Sequence, residues 1–499
     1  MIDFLATLRP EQGLAELCEV RPARPGDLLW QVLVRLRVGA GAAESVELAD
    51  SAELARSAEP GEEAAADSAP ESAHSLTPRV VGAYGHSRTD ALVRGVGEAV
   101  ERFALFPERG APEGAVRGTL RELTPDALEF ADPDVALGDP RAAEQELLWY
   151  PARRLRDGAE VLVPAALVDY PASVEDGAYF DPSPSGAASG QGQEMALRSA
   201  LLETVERDAL MVAWERRLVL SRIRVDRLLG ADGTAGIAGS VGTGGGAADV
   251  GPKTPGAKAV GAAAVAAAAD ARGKAHASRR HLLTLWRRVE AAGLRPVLAD
   301  LPTGLPGVHC TVAIVFDEQR RHPLAAVGCN TSDDPWRAML GAFQEALQIR
   351  TVVRHLGTEE DGLGPAPEVI VTDDDRLRHV ASRTGYEQVS EWVAAFTETE
   401  APERSAELPP PLSASDIVDR IVADGGDPLA LDLSFRLPAG LRAMGWSAMK
   451  VIPAGSQALR LSERHDFTWH RPRLASAEAR TGCTAGPPSA YPTRPHPLP

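Results

Sequence analysis

The chain has 499 residues, of which 44% are hydrophobic and 24% are charged, a composition typical of a globular protein with a substantial core. At about 150 residues per domain, this length allows two to four domains or one large domain. The 52 basic and 70 acidic residues give a net charge of −18, which argues against a protein that binds nucleic acid or an anionic membrane through basic residues.

Segments that would direct the chain into or across a membrane are missing from the sequence. No uninterrupted apolar run reaches about 18 residues, so we expect no transmembrane helix. The first thirty residues contain Glu11, Glu16 and Glu19 and lack an apolar stretch after a basic start, unlike a secretory signal. The four cysteines are scattered without disulfide or zinc-site spacing. We therefore predict a cytoplasmic protein with reduced thiols.

Charge and low complexity divide the chain. Residues 1–75 form a short N-terminal piece, with a strand-like run at Leu28–Val38, and an acidic linker. Between Gly41 and Leu76 this linker has nine acids and one base. Residues 229–280 form a Gly/Ala-rich insertion that we predict to be disordered. Residues 76–228 and 281–470 on either side of it are the two parts of the main domain.

The second part of the main domain alternates helix-like and strand-like segments. A helix pattern covers His281–Ala292, and strand patterns follow at Val297–Leu301 and Thr311–Phe316. This alternation predicts an α/β (α+β) fold with mixed layers. Residues 471–499 form a Pro-rich tail.

Three predicted helices share one arrangement of polar residues within an apolar sequence. They cover Asp90–Phe106, Glu194–Trp214 and Asp334–Val353, and Asp90 and Asp334 are candidate caps. Each carries two oxygen-bearing side chains three residues apart, and hence on one face, with an arginine beside them. These oxygen-bearing residues are Glu98 and Glu101, Glu203 and Glu206, and Glu345 and Gln348.

Each of these helices follows a polar, glycine-containing segment that we predict to be a loop. The three segments are Gly82–Thr89, Ser185–Gln193 and Val327–Asp334. Oxygen ligands suit Mg²⁺, arginine suits phosphate, and loops at helix N-termini bring backbone N–H groups to an anion. The spacing thus favours a nucleotide–magnesium site that is not of the Walker type. Solvated helix faces with local Glu–Arg pairs, and a carboxylate-rich metal site without nucleotide, remain the alternatives at this point.

The order of these motifs resembles the YcaO family. The matching segments are Gly85 and Ser87 with Glu98–Arg102, then Gly186, Gly190 and Glu203–Asp208, then Glu345–Arg350, and finally Lys450–Pro453 with Gly455. The resemblance covers roughly residues 80–220 and 280–460. It implies a layered α/β fold around one large ATP cleft and an ATP- and Mg²⁺-dependent enzyme that activates backbone amides of a ribosomal precursor peptide.

The resemblance also implies roles for individual residues. The expected magnesium ligands are Glu98, Glu101, Glu203, Glu206 and Glu345. The expected nucleotide-binding residues are Ser87, Gln191, Arg207, Glu345, Gln348 and Arg350. Three positions depart from the family pattern: Tyr84 replaces a frequent lysine, Arg94 a serine and Ser185 an asparagine. Arg88 is a candidate to replace the missing charge.

The last five residues, Pro495–Pro499, form a PxPxP ending. Its composition predicts a stiff polyproline-II segment, either frayed or directed into a cleft. Within the family, such an ending resembles the azoline-forming cyclodehydratases, in which the tail helps to order the active site. We therefore expect catalytic contributions from Pro495, Pro497, Pro499 and Arg350. His496 is an additional candidate proton carrier.

The implied reaction converts Cys, Ser or Thr of the precursor peptide into thiazoline or oxazoline rings. The alternatives are other amide chemistry of the family, namely thioamide or amidine formation, and a degenerate scaffold subunit. The family often uses a leader-binding partner related to ubiquitin-activating (E1-like) proteins. Because residues 1–75 are too short and acidic for that domain, we expect a separate partner protein. A flavin dehydrogenase and a homodimer are further expectations from the family.

Overall fold

The computed structural model of the protein describes residues 2–24, 26–37, 79–225, 255–356, 366–399, 411–487 and 494–498. The predicted acidic linker, the first part of the predicted insertion and Pro499 lie outside these ranges. Within the described ranges, every helix is too short or too polar to cross a lipid bilayer.

The described residues form fourteen strands in three sheets: β1 (Ala15–Arg21), β2 (Trp30–Leu36), β3 (Val80–Gly85), β4 (Val116–Gly118), β5 (Leu147–Arg154), β6 (Glu160–Pro164), β7 (Ala187–Gln191), β8 (Ser221–Ile223), β9 (Arg295–Leu301), β10 (His309–Asp317), β11 (Leu324–Ser332), β12 (Thr397–Thr399), β13 (Leu429–Asp432) and β14 (Trp446–Ile452).

They also form twelve α-helices: α1 (Phe4–Thr7), α2 (Arg88–Leu105), α3 (Leu120–Leu123), α4 (Gln193–Glu215), α5 (Pro255–Ala291), α6 (Pro335–Leu356), α7 (Asp373–Ala381), α8 (Arg383–Ala394), α9 (Ala414–Ala423), α10 (Ala439–Ala443), α11 (Arg471–Ala475) and α12 (Ala477–Thr481).

The three sheets are mostly antiparallel. Their strand orders are β1-β2-β3, β11-β10-β9-β8-β12 and β4-β5-β13-β14-β7, with β6 paired to the outer side of β5. Only the β8–β12 pair among the described strands is parallel. β10 is buried along nearly its whole length because its residues are mainly apolar and many are β-branched. The mixed α/β (α+β) fold predicted from the sequence is confirmed.

Each sheet contains a strand that leads into one of the three glutamate-bearing helices, as β3–α2, β7–α4 and β11–α6. In every case the helix packs on the strand that precedes it. The strand has a glycine at the closest approach, where an added side-chain carbon would lie 2.3–2.7 Å from a helix backbone nitrogen. These glycines are Gly85, Gly190 and Gly328. The glycines therefore allow each helix to lie close to its own sheet.

Two sequence-based expectations are corrected by this arrangement. The three predicted glycine loops are largely strands β3, β7 and β11, because sheet pairing and burial outweigh the weak strand propensity of glycine. The predicted disordered insertion is helical from Pro255 onward, in the long helix α5. Its alanine-rich sequence has high intrinsic helix propensity.

Helix starts agree with local capping chemistry. Ser87 caps α2 by accepting a hydrogen bond from the Asp90 backbone N–H at 3.2 Å, so Asp90 lies inside the first turn and is not the cap that we predicted. Asp334 precedes α6 and accepts a hydrogen bond from the Trp336 backbone N–H at 2.9 Å, as expected for a cap.

Candidate functional site

The three glutamate-bearing helices meet between the three sheets. Besides its own sheet, α2 contacts β7, α4 contacts β11 and α6 contacts β3. This arrangement brings the glutamates of all three helices to one cleft, which we call the carboxylate cleft. It is lined by Glu98, Glu101, Glu203, Glu206 and Glu345, which interact electrostatically with one another.

The glutamates of α2 are close to a carboxylate of α4. Glu98 accepts a hydrogen bond from Arg102 Nε at 3.0 Å and exposes 37% of its side chain. Burial, together with the negative charges of Glu98 and Glu203, raises the pKa of Glu101 well above its ordinary value. Glu101 therefore has two like-charged neighbours, Glu98 and Glu203.

The glutamates of α4 flank Arg207. Its guanidinium lies 3.3 Å from Glu203 and 3.4 Å from Glu206. Burial raises the pKa of both carboxyl groups, and that of Glu206 is raised further by Glu345 and Glu203. Only 8% of the Glu206 side chain is exposed, so water screens this repulsion weakly.

Glu345 of α6 completes the carboxylate cleft. Its Oε2 accepts a hydrogen bond from the Cys329 backbone N–H of β11 at 2.6 Å. Burial raises the pKa of Glu345, and the charge of Arg207 opposes this increase. The backbone of one strand thus fixes the direction of a side chain on the following helix.

Besides Arg102, the cations Arg207 and Lys450 act on these carboxylates. Glu206, Glu203 and Glu345 hold the pKa of Arg207 above its usual range. The Nε and Nη1 atoms of Arg207 are buried and lack a hydrogen-bond partner among the described residues. Burial lowers the pKa of Lys450 to about 8, although Glu203 and Glu101 oppose this decrease. Donors of this kind can bind ligand oxygens.

The carboxylate cleft fits a hard divalent cation accompanied by an anion. Several like-charged carboxyl groups in a poorly screened site are costly unless a cation compensates them. In the described part of the chain they do not form a closed set of three metal ligands. Beside phosphates, Mg²⁺ is usually bound by one or two carboxylates together with ligand and water oxygens.

Several predicted nucleotide-binding residues have other contacts. Arg350 donates through Nε to Asp317 at 2.9 Å and through Nη1 to the Gly26 carbonyl at 3.1 Å, and none of its described contacts is with a cleft glutamate. Gln191 is exposed at the end of β7. Ser87 is occupied as the cap of α2, and Gln348 is partly buried one turn after Glu345.

The departures from the family pattern are also located. Tyr84 is 4% exposed, packs in an apolar cluster and accepts a hydrogen bond from Gln31 at 2.8 Å. Tyr84 therefore brings no charge to the cleft. Arg88 brings none either, because it is exposed and its charge acts on the Cys18 thiol. Arg94 bridges α2 and α6 by donating to Gln344, and it acts electrostatically on Glu345.

The C-terminal residues 494–498, which we call the tail, are held inside the protein. The Trp214 indole N–H donates to the Arg494 carbonyl at 3.0 Å, and Arg376 donates to the His496 carbonyl at 3.1 Å. His496 is 1% exposed, and burial lowers its pKa well below the ordinary value. Pro495 and Pro497 are thus part of an ordered segment, as the directed-tail expectation requires.

A small cavity lies between the carboxylate cleft and the segment that holds the tail. Its polar lining includes Arg207, Lys450 and Asp181, and Leu459 forms part of its apolar wall. Asp181 accepts backbone hydrogen bonds from Leu461 and Ser462, the segment whose Arg460 carbonyl contacts His496.

The sequence analysis assigned no role to Lys450. Its signal was its rarity, because the chain has only four lysines among 52 basic residues and this one lies in an otherwise apolar strand.

Comparison with known proteins identifies the family of the chain. Residues 82–238 and 262–456 match the profile of the family described as YcaO cyclodehydratase, ATP- and Mg²⁺-binding. An uncharacterized protein of Methanothermobacter thermautotrophicus is 27% identical over 281 residues, which span 56% of this chain and 58% of that protein. The chain thus spans little more than half the length of this curated relative.

Solved structures share the fold at low identity. YcaO from Methanopyrus kandleri, bound with AMPPCP and Mg²⁺, has 17% identity and a TM-score of 0.53, covering 92% of this chain and 90% of the other. A heterocyclase in complex with substrate and cofactor has 15% identity and a TM-score of 0.56, covering 91% of this chain and 51% of the other.

The family profile matches well over half of the chain, and both the fold and the predicted motifs agree with it. The cofactors are therefore ATP and Mg²⁺. The chain belongs to the YcaO family, which confirms the resemblance inferred from its motifs.

Proposed function

We propose that this protein is a peptide cyclodehydratase that converts Cys, Ser or Thr of a ribosomal precursor peptide into thiazoline or oxazoline rings. The observation that carries this proposal is the carboxylate cleft, where glutamates from three helices converge on Arg207. The ordered tail carries Pro495 and Pro497 of the PxPxP motif, and this motif favours ring formation over thioamide or amidine chemistry because it resembles that of the azoline-forming members of the family.

In this proposal the glutamates of the carboxylate cleft bind the metal and the cations bind the nucleotide. Glu98, Glu101, Glu203, Glu206 and Glu345 would hold Mg²⁺. Arg207, whose Nε and Nη1 lack a hydrogen-bond partner among the described residues, would hold phosphate oxygens. Ser87, Gln191 and Gln348 remain candidates for contacts with the rest of the nucleotide. Arg350 is proposed only as a structural residue, because its donors are occupied by Asp317 and Gly26.

The chemistry needs activation of an amide oxygen. ATP supplies a phosphoryl group to that oxygen, so that it can leave as phosphate. The chain contributes alignment and charge compensation, which are the usual protein contributions to phosphoryl transfer. Arg207 holds positive charge in a place that water screens weakly, and the cleft walls limit the access of competing water.

The tail would act by shaping the substrate side of the cavity. Arg376 donates to the carbonyls of Arg460, Leu461 and His496, and so joins the tail to the segment that carries the cavity-lining Leu459. Pro495 and Pro497 stiffen this connection. The proposed contribution of the tail to catalysis therefore runs through the wall of the cavity.

The proposed partners follow from the proposed substrate. They are the precursor peptide, a separate E1-like leader-binding protein, and a flavin dehydrogenase if the rings are later oxidised. A homodimer is also proposed from the family. Support comes from the fold shared with a heterocyclase that was solved in complex with its substrate and cofactor.

The first experiment measures ATP binding by titration calorimetry in the presence of Mg²⁺. We expect saturable binding by the wild type and none by the double variant Glu203→Ala/Glu206→Ala. A matched control, Glu144→Ala/Glu146→Ala, removes two glutamates outside the cleft and should bind ATP like the wild type. Absence of binding by the wild type in the presence of its partner would favour the scaffold alternative.

The second experiment identifies the product by mass spectrometry of the precursor peptide after incubation with ATP, Mg²⁺ and the partner protein. Ring formation removes one water per modified residue. Thioamide formation instead exchanges oxygen for sulfur and requires a sulfur donor. A product without loss of water would contradict cyclodehydration while leaving the ATP site intact.

A further inference from the structure

Lys450 is held in an unusual environment for a lysine. It lies in the central part of β14, is 2% exposed, and its strand neighbours are buried and mostly apolar. Its Nζ donates to the Ser183 carbonyl at 2.7 Å and to the Ser185 carbonyl at 2.6 Å. An ammonium group has three N–H donors, so one donor is not accounted for by these two bonds.

The third N–H donor of Lys450 is left for the carboxylate cleft. Glu203 and Glu101 are the largest favourable charges acting on Lys450, but among the described residues neither forms an ion pair with it. The cation and the carboxylates therefore face each other across a gap. A direct salt bridge would have closed that gap. Because the gap is open, there is room for a ligand.

Lys450 also lines the small cavity described above. Arg207 lines the same cavity, and its buried Nε and Nη1 lack a hydrogen-bond partner among the described residues, although Nη1 lies 3.4 Å from Glu206. The cavity holds about 50 Å³, whereas one water needs roughly 10–15 Å³ measured in the same way. It therefore has room for a compact tetrahedral group.

We propose that this cavity receives the terminal phosphoryl group of ATP, and that Lys450 binds its oxygens from the side opposite the magnesium-binding glutamates. The inference rests on the proposed ATP site and adds a residue to it. The ligand chemistry is that of a small oxyanion. Fixed charge on both sides, from Mg²⁺ and from Lys450 with Arg207, would hold that group in line for transfer.

The test compares ligands that differ in one phosphoryl group. Dissociation constants for ATP and for ADP, each with excess Mg²⁺, are measured by calorimetry for the wild type and Lys450→Met. Loss of one charge-assisted hydrogen bond predicts about tenfold weaker ATP binding. The change for ADP should stay within about twofold, since ADP lacks the group that reaches Lys450.

A third ligand separates this role from a merely structural one. Mn²⁺ binding without nucleotide, followed by electron paramagnetic resonance, should be unchanged or tighter in Lys450→Met, because removal of a cation removes repulsion of the metal. A structural defect would instead weaken the binding of nucleotide and metal together. The opposite signs expected for ATP and Mn²⁺ are specific to a phosphate-facing lysine.

Met449→Ala serves as the matched control. Met449 is the preceding residue of the same strand, it packs in an apolar cluster, and its truncation lowers the melting temperature without changing charge. Its affinities for ATP, ADP and Mn²⁺ should equal those of the wild type. If Lys450→Met does not fold, Lys450→Gln keeps donors for the two loop carbonyls and should show the same selective loss.

Three results would overturn the proposal: unchanged ATP affinity in the folded Lys450 variant, an equal loss for ATP and ADP, or a parallel loss of Mn²⁺ binding. Failure of the wild type to bind ATP would instead contradict the proposed function. The two failures are therefore distinguishable.

Discussion

Two consecutive residues of α4 meet opposite environments. Arg207 faces the carboxylate cleft, where its Nε and Nη1 have no hydrogen-bond partner among the described residues. Asp208, about 100° further round the helix, is saturated: it accepts from Arg473 Nε and Nη2, both at 2.8 Å, and from the Gln457 backbone N–H at 2.8 Å. Both are charged and largely buried.

This difference distinguishes charges that are available to a ligand from charges that stabilise the fold. A buried charge is tolerable when it is paired and hydrogen-bonded, as Asp208 is. Incompletely paired charges of one sign, as around Glu206 and Glu101, reduce stability until a ligand compensates them. Completeness of pairing, rather than burial alone, therefore locates the site on this helix.

The largest effect is expected on the saturated side. Asp208→Asn leaves Arg473 and Arg480 with only Asp424 as a charged partner, so the free energy of unfolding should fall by about 3–5 kcal/mol. Urea unfolding measures this change. Glu478→Gln, which removes an exposed ion pair with Arg216, should change it by less than about 0.5 kcal/mol. Equal effects of the two variants would contradict the comparison.

On the cleft side, removal of a charged group is expected to raise stability and to weaken ATP binding. Glu206→Gln removes a like charge beside Glu203 and Glu345, so it should raise the unfolding free energy of the metal-free protein by about 1 kcal/mol. It should also weaken ATP binding in the presence of Mg²⁺ more than about 100-fold, or about 2.7 kcal/mol. Thermal melting and calorimetry measure the two effects. A variant that binds ATP normally would remove Glu206 from the metal ligands.

A pH dependence follows from the raised pKa values of Glu101 and Glu206. These groups keep a proton in the folded chain at pH values where the unfolded chain has released it. Their contribution to stability is therefore present at low pH and is lost as the pH rises above their unfolded value, near 4.5. Each such proton changes stability by about 1.4 kcal/mol per pH unit.

Glu206→Gln removes one of these titrating groups and so isolates its contribution to the pH dependence of stability. Between about pH 5 and pH 8, the melting temperature of the metal-free wild type should fall relative to that of Glu206→Gln, and Mg²⁺ with ATP should reduce the difference. Parallel pH profiles for the two proteins would show that Glu206 does not have a raised pKa.

The smallest effect concerns the tail. Trp214→Phe removes the indole N–H that donates to the Arg494 carbonyl, at a cost of about 1 kcal/mol, and so should speed release of C-terminal residues by carboxypeptidase about fivefold. Trp286→Phe alters a buried tryptophan in a different apolar cluster and should leave that rate unchanged. Equal rates for Trp214→Phe and the wild type would show that this bond does not hold the tail.

Much of the fold could be predicted because its signals are local. The three glutamate helices begin and end within three residues of the predicted bounds, since their apolar periodicity is strong. Strands β3, β7 and β11 were missed because their sequences are rich in glycine and small residues. Close packing of a helix on each strand, as at Gly328, requires those residues.

The candidate site was predictable only in part. Spacing along a helix indicated which glutamates share a face, so Glu203 and Glu206 could be found. It could not indicate that Arg350 turns to Asp317 on β10, or that Tyr84 turns into an apolar cluster. Those directions depend on partners that are distant in the sequence.

The sequence by itself determined the family, the glutamate pairs and the PxPxP ending, because each is a pattern of neighbouring residues. The tertiary structure decided which charges are compensated. Lys450 comes from β14, the Glu345 hydrogen bond from the β11 backbone, and the tail anchor Arg376 from α7. Pairing over such distances depends on how the three sheets bring their helices together, and no local pattern encodes it.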